Sequence, residues 1–240
     1  FRPNTLLLVT SFENDPETIL KAMRAGAREF LAKPLEREAV EKALTSATHI
    51  LERAAMAGSR NGKLISIFGV KGGVGTTTLA SNLAVNIADR SKKDVVLVDM
   101  NLQFGNATLF LNLKPQTSII DVQRHISEID PEQLRKSLPK HISGVSLLTG
   151  PIRVEEAETF ETNKFEAIIS LLRASYNYIL IDLPKNFDDL TMKTLDGSDV
   201  ILKVFTTDIP SLFNTFRCFD IFKRLGYGEE KVLPVVNRFD

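Results

Sequence analysis

Short apolar runs alternate with amphipathic segments along most of this chain, and the alternation limits the folds open to it. Six runs have the length and apolar character of buried strands: 63–68, 94–100, 144–150, 176–182, 199–205 and 231–236. Helical spacing of apolar residues is found in the segments 77–89, 119–138, 165–172 and 211–225, the second of them broken near Pro131. Apolar strands joined by helices are typical of a parallel sheet covered on both faces. We therefore predict an α/β fold with a doubly wound, mostly parallel sheet, and a loop over 104–118.

A shorter pattern of strands and helices precedes residue 56. Apolar runs at 5–9 and 28–32 are predicted strands. Between them, Asp15 followed by Pro16 is typical of a helix start, and Gly26 stands where a helix commonly ends. A second amphipathic helix is predicted from apolar residues at helical spacing, namely Val40, Leu44, Ala47 and Leu51. This pattern indicates a small βαβα unit.

The small, polar residues 56–62 (MAGSRNG) separate the two patterns and are a predicted linker. We therefore expect two domains, residues 1–55 and residues 63–240. The chain begins with Phe1 rather than Met and ends at Asp240 soon after a strand-like run, so we expect both domains to be parts of a longer protein.

The composition excludes several classes of protein. Hydrophobic residues make up 43% of the 240 residues and charged residues 25%, which is the balance of a globular protein. Thirty basic residues cancel thirty acidic ones, so the chain carries no overall charge signal for nucleic-acid binding. No apolar run approaches the ~18 residues of a transmembrane segment, and no signal peptide opens the sequence. Cys218 is the single cysteine, so no internal disulfide can form, and we expect a cytoplasmic protein.

Cys218 lies in a segment that carries a stripe of large apolar residues. The stripe consists of Leu212, Phe216, Phe219 and Phe222. Their helical spacing predicts the buried face of a helix, with a dimer surface as the second interpretation. No activating base is evident near Cys218 in the sequence, so a catalytic thiol is not expected.

A glycine-rich loop follows the predicted strand 63–68 and opens a helix. Its glycines, Gly72, Gly73 and Gly75, permit a tight turn and let backbone N–H groups approach an anion closely. The N-terminus of the following helix adds the positive end of its dipole. This order of strand, loop and helix predicts a phosphate-binding site, although a glycine-rich turn without a ligand would explain the glycines alone.

Hydroxyl residues follow the glycines where a phosphate loop needs them. Thr77 can place its hydroxyl on Mg²⁺, and Thr78 can reach the α-phosphate of a nucleotide. Thr76, however, occupies the position at which such loops carry a lysine. Because that lysine neutralises the β- and γ-phosphates, its loss should weaken binding and slow phosphoryl transfer.

The stretch KGGVGTTT resembles the deviant Walker A loop of the ParA/MinD family, whose usual sequence is KGGVGKTT. The resemblance implies a P-loop NTPase fold that binds ATP and Mg²⁺ and forms a homodimer. It assigns nucleotide contacts to Lys71, Gly72, Gly73, Val74, Gly75, Thr76, Thr77 and Thr78. Lys71 matches the family's signature lysine, which reaches across the dimer to the partner's nucleotide and is a candidate catalytic residue. It would compensate in part for the lysine missing at position 76.

The stretch VVLVDMNLQFGNATLF (95–110) resembles the next motif of the family, usually VLLVDxDxQ. Asp99 matches the first acid and is implied to contact the nucleotide. Asn101 stands at the second acid, which in the family orients the attacking water, and is the other candidate catalytic residue. An asparagine can hold a water but cannot accept its proton. Asn101 and Thr76 together therefore imply slow or absent hydrolysis.

Two further sites follow from the same resemblance. ILIDLP (179–184) resembles the Walker B motif, with Asp182 placed to hold Mg²⁺ through a water, beside Thr77. In VNRFD, Asn237 and Arg238 stand just past the last strand, where an asparagine of the family meets the adenine edge. The alternatives are an acid that caps a buried strand and an ordinary turn after a strand.

The first segment resembles the last half of a response-regulator receiver domain. TLLLVTSF and GAREFLAKP carry the resemblance. Thr10 matches the switch hydroxyl, Phe30 the switch aromatic, and Lys33 with Pro34 the phosphate-sensing lysine and its proline. The phosphoacceptor aspartate would precede Phe1. A generic βαβα fragment is the alternative.

A receiver-like segment joined to a ParA-like unit is the architecture of the CpaE/TadZ group, which serves Tad (Flp) pilus assembly and secretion systems. QFGNATLFLNL, HISGVSLLTGP and TLDGSDVILKVFTTDIPSL also resemble that group. The resemblance implies an ATP-binding, dimerising localisation or assembly factor with weak or absent hydrolysis. Its partners would be pilus or secretion proteins, which could hold it at a pole or at the inner membrane. The alternatives are an active ParA/MinD-type ATPase for DNA partition or division-site placement, a scaffold without nucleotide, and a receiver-controlled signalling module.

Overall fold

The computed structural model describes residues 7–13, 15–27, 29–45, 47 and 61–239. The chain divides into two compact units, residues 1–59 and 60–240. The predicted linker lies mostly outside the described residues. Gly62, at its end, is buried and donates its N–H to the Arg173 carbonyl at 3.1 Å, so it belongs to the second unit. Within the described ranges, no helix has the length and apolar character needed to span a membrane.

The first unit contains a parallel pair of strands joined by a helix. Strand β1 (Leu8–Ser11) pairs with β2 (Glu29–Ala32), and helix α1 (Pro16–Arg24) connects them. The predicted helix start is confirmed, because Asp15 Oδ1 accepts the N–H groups of Glu17 and Thr18, each at 3.0 Å.

Other parts of the first unit match the predicted pattern within a few residues. β1 extends to residue 11, two residues past the predicted strand. Gly26 follows α1 with a φ of 95°, as expected of a glycine at a helix end. Residues 37–45 are helical and form α2, and the predicted continuation of this helix to Leu51 lies largely outside the described residues. Thr10 lies in β1 and Phe30 in β2, and their receiver-like roles stay predictions.

The second unit is built on a six-stranded parallel sheet in the order β5-β4-β6-β3-β7-β8. Its strands are β3 (Lys63–Phe68), β4 (Val95–Asp99), β5 (Ser146–Leu148), β6 (Tyr178–Asp182), β7 (Val200–Phe205) and β8 (Val232–Val236). Its helices are α3 (Thr76–Ser91), α4 (Ala107–Phe110), α5 (Ile119–Arg124), α6 (Pro131–Ser137), α7 (Phe165–Ser175), α8 (Asp189–Gly197) and α9 (Ile209–Arg224), with 3₁₀ turns at Val154–Thr159 and Thr162–Lys164. All six predicted strands are present, so the predicted parallel sheet is confirmed.

Apolar side chains cover both faces of this sheet. In β3, Leu64 and Phe68 belong to one buried cluster, which includes residues of α5, α6, α7 and α9. The alternate residues Ile65 and Ile67 belong to the other cluster, which includes three alanines of α3. Because the strands are parallel, the carboxyl ends of the central strands meet at one edge, where open parallel sheets commonly bind ligands.

Two helices and one helical face differ from the predictions. Helix α4 lies inside the predicted loop 104–118, and α8 occupies a stretch to which the patterns assign no helix. Both are short, and α8 has only three buried residues, so neither shows a strong apolar period. The predicted stripe on α9 is wrong at Phe216, which is 74% exposed. The helix instead turns the small residues Ser211 and Thr215 inwards, together with Cys218 and Phe222.

Candidate functional site

The loop between β3 and α3 leaves the first N–H groups of a long helix without a side-chain cap. Gly73 and Gly75 have φ angles of 79° and 96°, in the left-handed region that residues with a Cβ rarely adopt. Gly75 is the N-cap of α3, and none of the described side chains accepts a capping hydrogen bond there. These N–H groups and the helix dipole therefore favour an anion at this end of α3.

Asn237, which follows β8, supports this loop. Its side-chain amide donates to the Val74 carbonyl at 2.8 Å, and its backbone N–H donates to the Phe205 carbonyl at 2.8 Å. A Cβ at Gly75 would collide with the Asn237 amide, so this position favours glycine on two grounds. Arg238 is exposed and donates its N–H to Asn237 Oδ1 at 3.0 Å. The Asn237 amide thus holds the loop, and contacts of Asn237 and Arg238 with adenine stay predictions.

The three threonines of the loop have different surroundings. Thr77 Oγ1 donates to Asp182 Oδ2 at 2.5 Å. Thr76 turns its methyl group back towards the base of the loop, where a Cβ at Gly69 would lie 2.9 Å from Thr76 Cγ2. Thr78 is exposed on the first turn of α3. The fold therefore brings together Thr77 and Asp182, the two residues to which the sequence assigns Mg²⁺.

Asp182 and Asp99 are neighbouring acids at the ends of β6 and β4. They are opposite each other in the strand register and are 3% and 1% exposed. Burial raises the pKa of Asp182 to about 7, against the hydrogen bond from Thr77, and the charge of Asp99 adds to the rise. Asp182 Oδ1 has no hydrogen-bond partner in the described part of the chain. A buried carboxylate oxygen without a partner is costly unless a ligand takes it.

Asp99 organises the loop that follows β4. Its Oδ2 accepts the Ala107 N–H at 3.0 Å, and its Oδ1 accepts the Asn101 N–H at 3.1 Å. Burial raises the pKa of Asp99, and these hydrogen bonds oppose the rise. Because both oxygens are engaged, Asp99 serves here as a loop anchor, and its contact with a nucleotide stays a prediction. Asn101 Oδ1 accepts the Phe104 N–H at 3.4 Å, and Asn101 lines a cavity of about 280 Å³ beside Leu183.

Lys71 is paired within its own chain. Its Nζ lies 2.8 Å from Oδ1 of Asp208, which is the N-cap of α9. Asp208 also accepts the Thr206 hydroxyl at 2.5 Å and the Ser211 N–H at 3.0 Å. The hydrogen bond from Lys71, followed by that from Thr206, lowers the pKa of Asp208 to about 2. Lys71 would have to leave this pair in order to reach a partner's nucleotide.

Asp208 and Lys185 have no role in the sequence motifs, yet both lie beside the loop. Asp208 precedes Ile209 and Pro210, a sequence that predicts a helix start. It does not predict that Lys71 pairs with the carboxylate. Lys185 directly follows the Walker B-like stretch, and a Cβ at Gly72 would lie 4.0 Å from its Nζ. Both proximities arise from strand order, which no short-range pattern encodes.

The second unit matches known proteins in sequence. A family model described as an AAA domain matches residues 62–214. The chain is 27% identical over 181 residues to the septum site-determining protein MinD of Thermotoga maritima, covering 74% of this chain and 65% of that protein. It is 32% identical over 169 residues to the chromosome partitioning protein ParA of Myxococcus xanthus, covering 64% of this chain and 58% of that protein. The chain therefore spans less than two thirds of the length of either relative.

Solved structures share the same architecture. The cell division ATPase MinD of Pyrococcus furiosus superposes with a TM-score of 0.62 at 28% identity, covering 74% of this chain and 73% of that one. MinD of Pyrococcus horikoshii, solved with Mg-ADP, gives 0.62 at 25% identity, covering 74% and 71%. A ParA family ATPase from Chlorobium tepidum gives 0.68 at 20% identity, covering 73% and 74%, and supports the fold. The finer resemblances to the CpaE/TadZ group and to receiver domains stay predictions. The chain belongs to the AAA-domain family of ParA/MinD-type ATPases.

Proposed function

We propose that this chain binds Mg-ATP at the loop between β3 and α3 and uses it as a conformational signal, with weak or absent hydrolysis. The observation that carries the proposal is the hydrogen bond from half-buried Thr77 to buried Asp182, beside a loop with two left-handed glycines. The Mg-ADP bound to MinD of Pyrococcus horikoshii supports the same class of ligand for this chain.

The residues present fit a magnesium ion. Thr77 and Asp182 offer hydroxyl and carboxylate oxygens, which Mg²⁺ prefers, and Asp182 Oδ1 is buried without a partner among the described atoms. The described residues contain no group of three or more His, Cys, Asp or Glu that could hold a metal. That fits an ion that takes most of its ligands from phosphates and water. When bound, Mg²⁺ would neutralise phosphate charge.

The chain's own residues favour slow hydrolysis. Thr76 offers no positive charge, and its methyl group faces the base of the loop. Asn101 can hold a water through its amide but has no group that accepts a proton. A general base typically contributes 10²–10⁴-fold to a rate, so the bound nucleotide should persist.

We further propose that the nucleotide-bound chain forms a homodimer. Lys71 would exchange Asp208 for the partner's nucleotide, the role implied by the ParA/MinD resemblance. Helix α9 begins at this pair and exposes an apolar row in which Ile209, Phe213 and Phe216 are 81%, 61% and 74% exposed. Spacings of four and three residues put these side chains on one face. An apolar row beside a charged pair that must open supports an interface at this place.

For the cellular role we propose a localisation or assembly factor of a Tad (Flp) pilus or secretion system. The support is the receiver-like segment that precedes the ATPase-like unit, together with the replaced residues at positions 76 and 101. The names of the relatives, which include MinD and ParA proteins, favour an active ATPase for division-site placement or DNA partition as the second candidate.

The test is a titration of the full-length, unsubstituted protein (the parent protein) with Mg-ATP, with phosphate release and sedimentation followed in the same samples. Saturable binding, nucleotide-dependent dimers and little phosphate release are the expected results. Binding with release as brisk as that of an active ParA ATPase measured alongside would favour the second candidate. Absence of binding would leave a scaffold and overturn the proposal.

A further inference from the structure

We infer that Lys185 supplies the phosphate-facing positive charge that Thr76 does not. The assignment rests on the Mg-ATP binding proposed above and adds a residue to it. Lys185 belongs to the loop between β6 and α8, outside the glycine-rich stretch that carries the family motif. It would therefore be a nucleotide-positioning residue that the motif itself does not contain.

The first step is that the loop has no cation of its own at the usual position. Thr76 opens α3, with its methyl group towards Gly69. Thr76 carries no positive charge, so the β- and γ-phosphates of a nucleotide would need one from elsewhere.

The second step is that the Lys71 ammonium is already paired with an acid of its own chain. It forms a 2.8 Å ion pair with Asp208, and Asp208 is fixed as the N-cap of α9. Within a single chain the charge of Lys71 is therefore partly neutralised. Its implied role, moreover, is toward the nucleotide of a partner subunit.

The third step is the position of Lys185. Strands β6 and β3 are neighbours, and the Leu183 N–H donates to the Ile67 carbonyl at 3.0 Å, so the chain after β6 runs beside the start of the loop. Lys185 follows two residues later, and a Cβ at Gly72 would lie 4.0 Å from its Nζ. Gly72 is exposed on the loop that the resemblance assigns to phosphate.

The fourth step is that Lys185 is not committed to another group. It is exposed, and within the described ranges it forms no hydrogen bond or ion pair. Its neighbour Asn186 donates to Asp188, which caps α8, so the next acid along the chain is already engaged. A lysine ammonium on a flexible stem, placed at the rim of an anion-binding loop, can follow the phosphates of a ligand. Charge-assisted hydrogen bonds of this kind are among the stronger polar contacts in proteins.

The test compares Mg-ATP affinity across variants of the parent protein by calorimetry. Lys185→Ala should raise the Kd for Mg-ATP about tenfold or more, and Lys185→Arg should stay within about threefold because the charge remains. Lys223→Ala is the matched control, an exposed lysine in the last turn of α9, at the opposite end of that helix from Asp208. Its Kd should equal that of the parent.

A second background separates a direct phosphate contact from a general loss of structure. In the Thr76→Lys protein the loop regains its own lysine, so adding Lys185→Ala there should change the Kd by less than about threefold. If the parent binds Mg-ATP and Lys185→Ala binds equally well, the Lys185 assignment is overturned while the proposed function stands. An equal loss in both backgrounds would also overturn it, as a structural effect. A parent that does not bind Mg-ATP overturns the proposed function, and the assignment with it.

Discussion

Two clusters of polar groups, at opposite edges of the parallel sheet, are satisfied in different ways. At the amino edge, Arg173 donates to the Gly62 carbonyl at 2.7 Å and the Gly197 carbonyl at 2.9 Å, and pairs with Asp199 at 2.9 Å. At the carboxyl edge, Asp182 keeps one buried oxygen without a partner among the described residues, and burial raises its pKa to about 7. The Arg173 network is satisfied by the chain itself, whereas the Asp182 oxygen is left to be satisfied by a ligand.

The difference separates residues that stabilise the fold from residues that prepare a site. Satisfied networks add stability, whereas an unpartnered buried charge reduces it. Such a cost beside left-handed glycines is typical of a functional site. Substitutions of Arg173 and of Asp182 should therefore change stability in opposite directions.

The largest effect is expected for Asp182→Asn. The pKa of Asp182 is raised from 3.8 to about 7, so its contribution to stability is full below pH ~4 and is lost as the pH rises to 7. The amide does not ionise, so at pH 8 the variant should be more stable than the parent by on the order of 3 kcal/mol. Urea unfolding at pH 5 and pH 8 measures this. Asp220→Asn, at an exposed site on α9, is the control and should change the free energy of unfolding by less than about 0.5 kcal/mol. If the variant were less stable than the parent at pH 8, the claim that the buried Asp182 carboxylate lowers stability would be wrong.

At the amino edge the expected effect has the opposite sign. Arg173→Ala should lower the free energy of unfolding by about 2 kcal/mol, because Gly62 and Gly197 carbonyls and Asp199 lose their donor together. Arg224→Ala removes an exposed pair with Asp220 and should cost less than about 0.5 kcal/mol. The Kd for Mg-ATP should not change in either variant. Equal stability losses for the two arginine variants would show that the Arg173 network contributes no more stability than an exposed ion pair.

Local patterns could predict much of this fold. Apolar runs located all six strands of the sheet, because a strand buried on both faces must be apolar throughout. The glycine loop was predictable for a similar reason, since the left-handed φ of Gly73 and Gly75 favours glycine. The short α4 and α8 were not, because helices of four and nine residues carry too little periodicity to recognise.

Contacts made through strand order were beyond such patterns. Lys71 meets Asp208 across 137 positions of sequence, and Asn237 meets Val74 across 163. The motif assigned Asn237 to adenine and left Asp208 without a role. The face of α9 also could not be inferred, because the inward residues Ser211 and Thr215 are small and polar and only the fold brings them against the sheet.

Substitution of the buried Lys203 tests whether this charge contributes to the proposed Mg-ATP site. Lys203 in β7 is fully buried, with Nζ 3.2 Å from the Val204 carbonyl and 5.9 Å from the centre of the Phe68 ring. Burial lowers the pKa of Lys203, so its contribution to stability falls as the pH falls through that lowered pKa. Lys203→Met should therefore stabilise the protein by about 1 kcal/mol at pH 7, and by less at pH 10. An unchanged Kd for Mg-ATP would separate Lys203 from the site, and a weakened one would make it part of the carboxyl edge.

The smallest effect on stability is expected for Phe216→Ser, which tests the exposed row on α9. Phe216 is 74% exposed, so the change should alter the free energy of unfolding by less than about 0.5 kcal/mol. If the row forms the proposed interface, the Kd of the Mg-ATP-dependent dimer should rise about tenfold in sedimentation experiments. Ile142→Ser is the matched control, because Ile142 is 99% exposed and precedes β5 at the amino edge. Dimers weakened equally by both substitutions would point to general apolar association. Weaker dimerisation in Phe216→Ser alone would show that the carboxyl edge serves partner binding as well as ligand binding, because α9 begins at Asp208, the acid that pairs with Lys71.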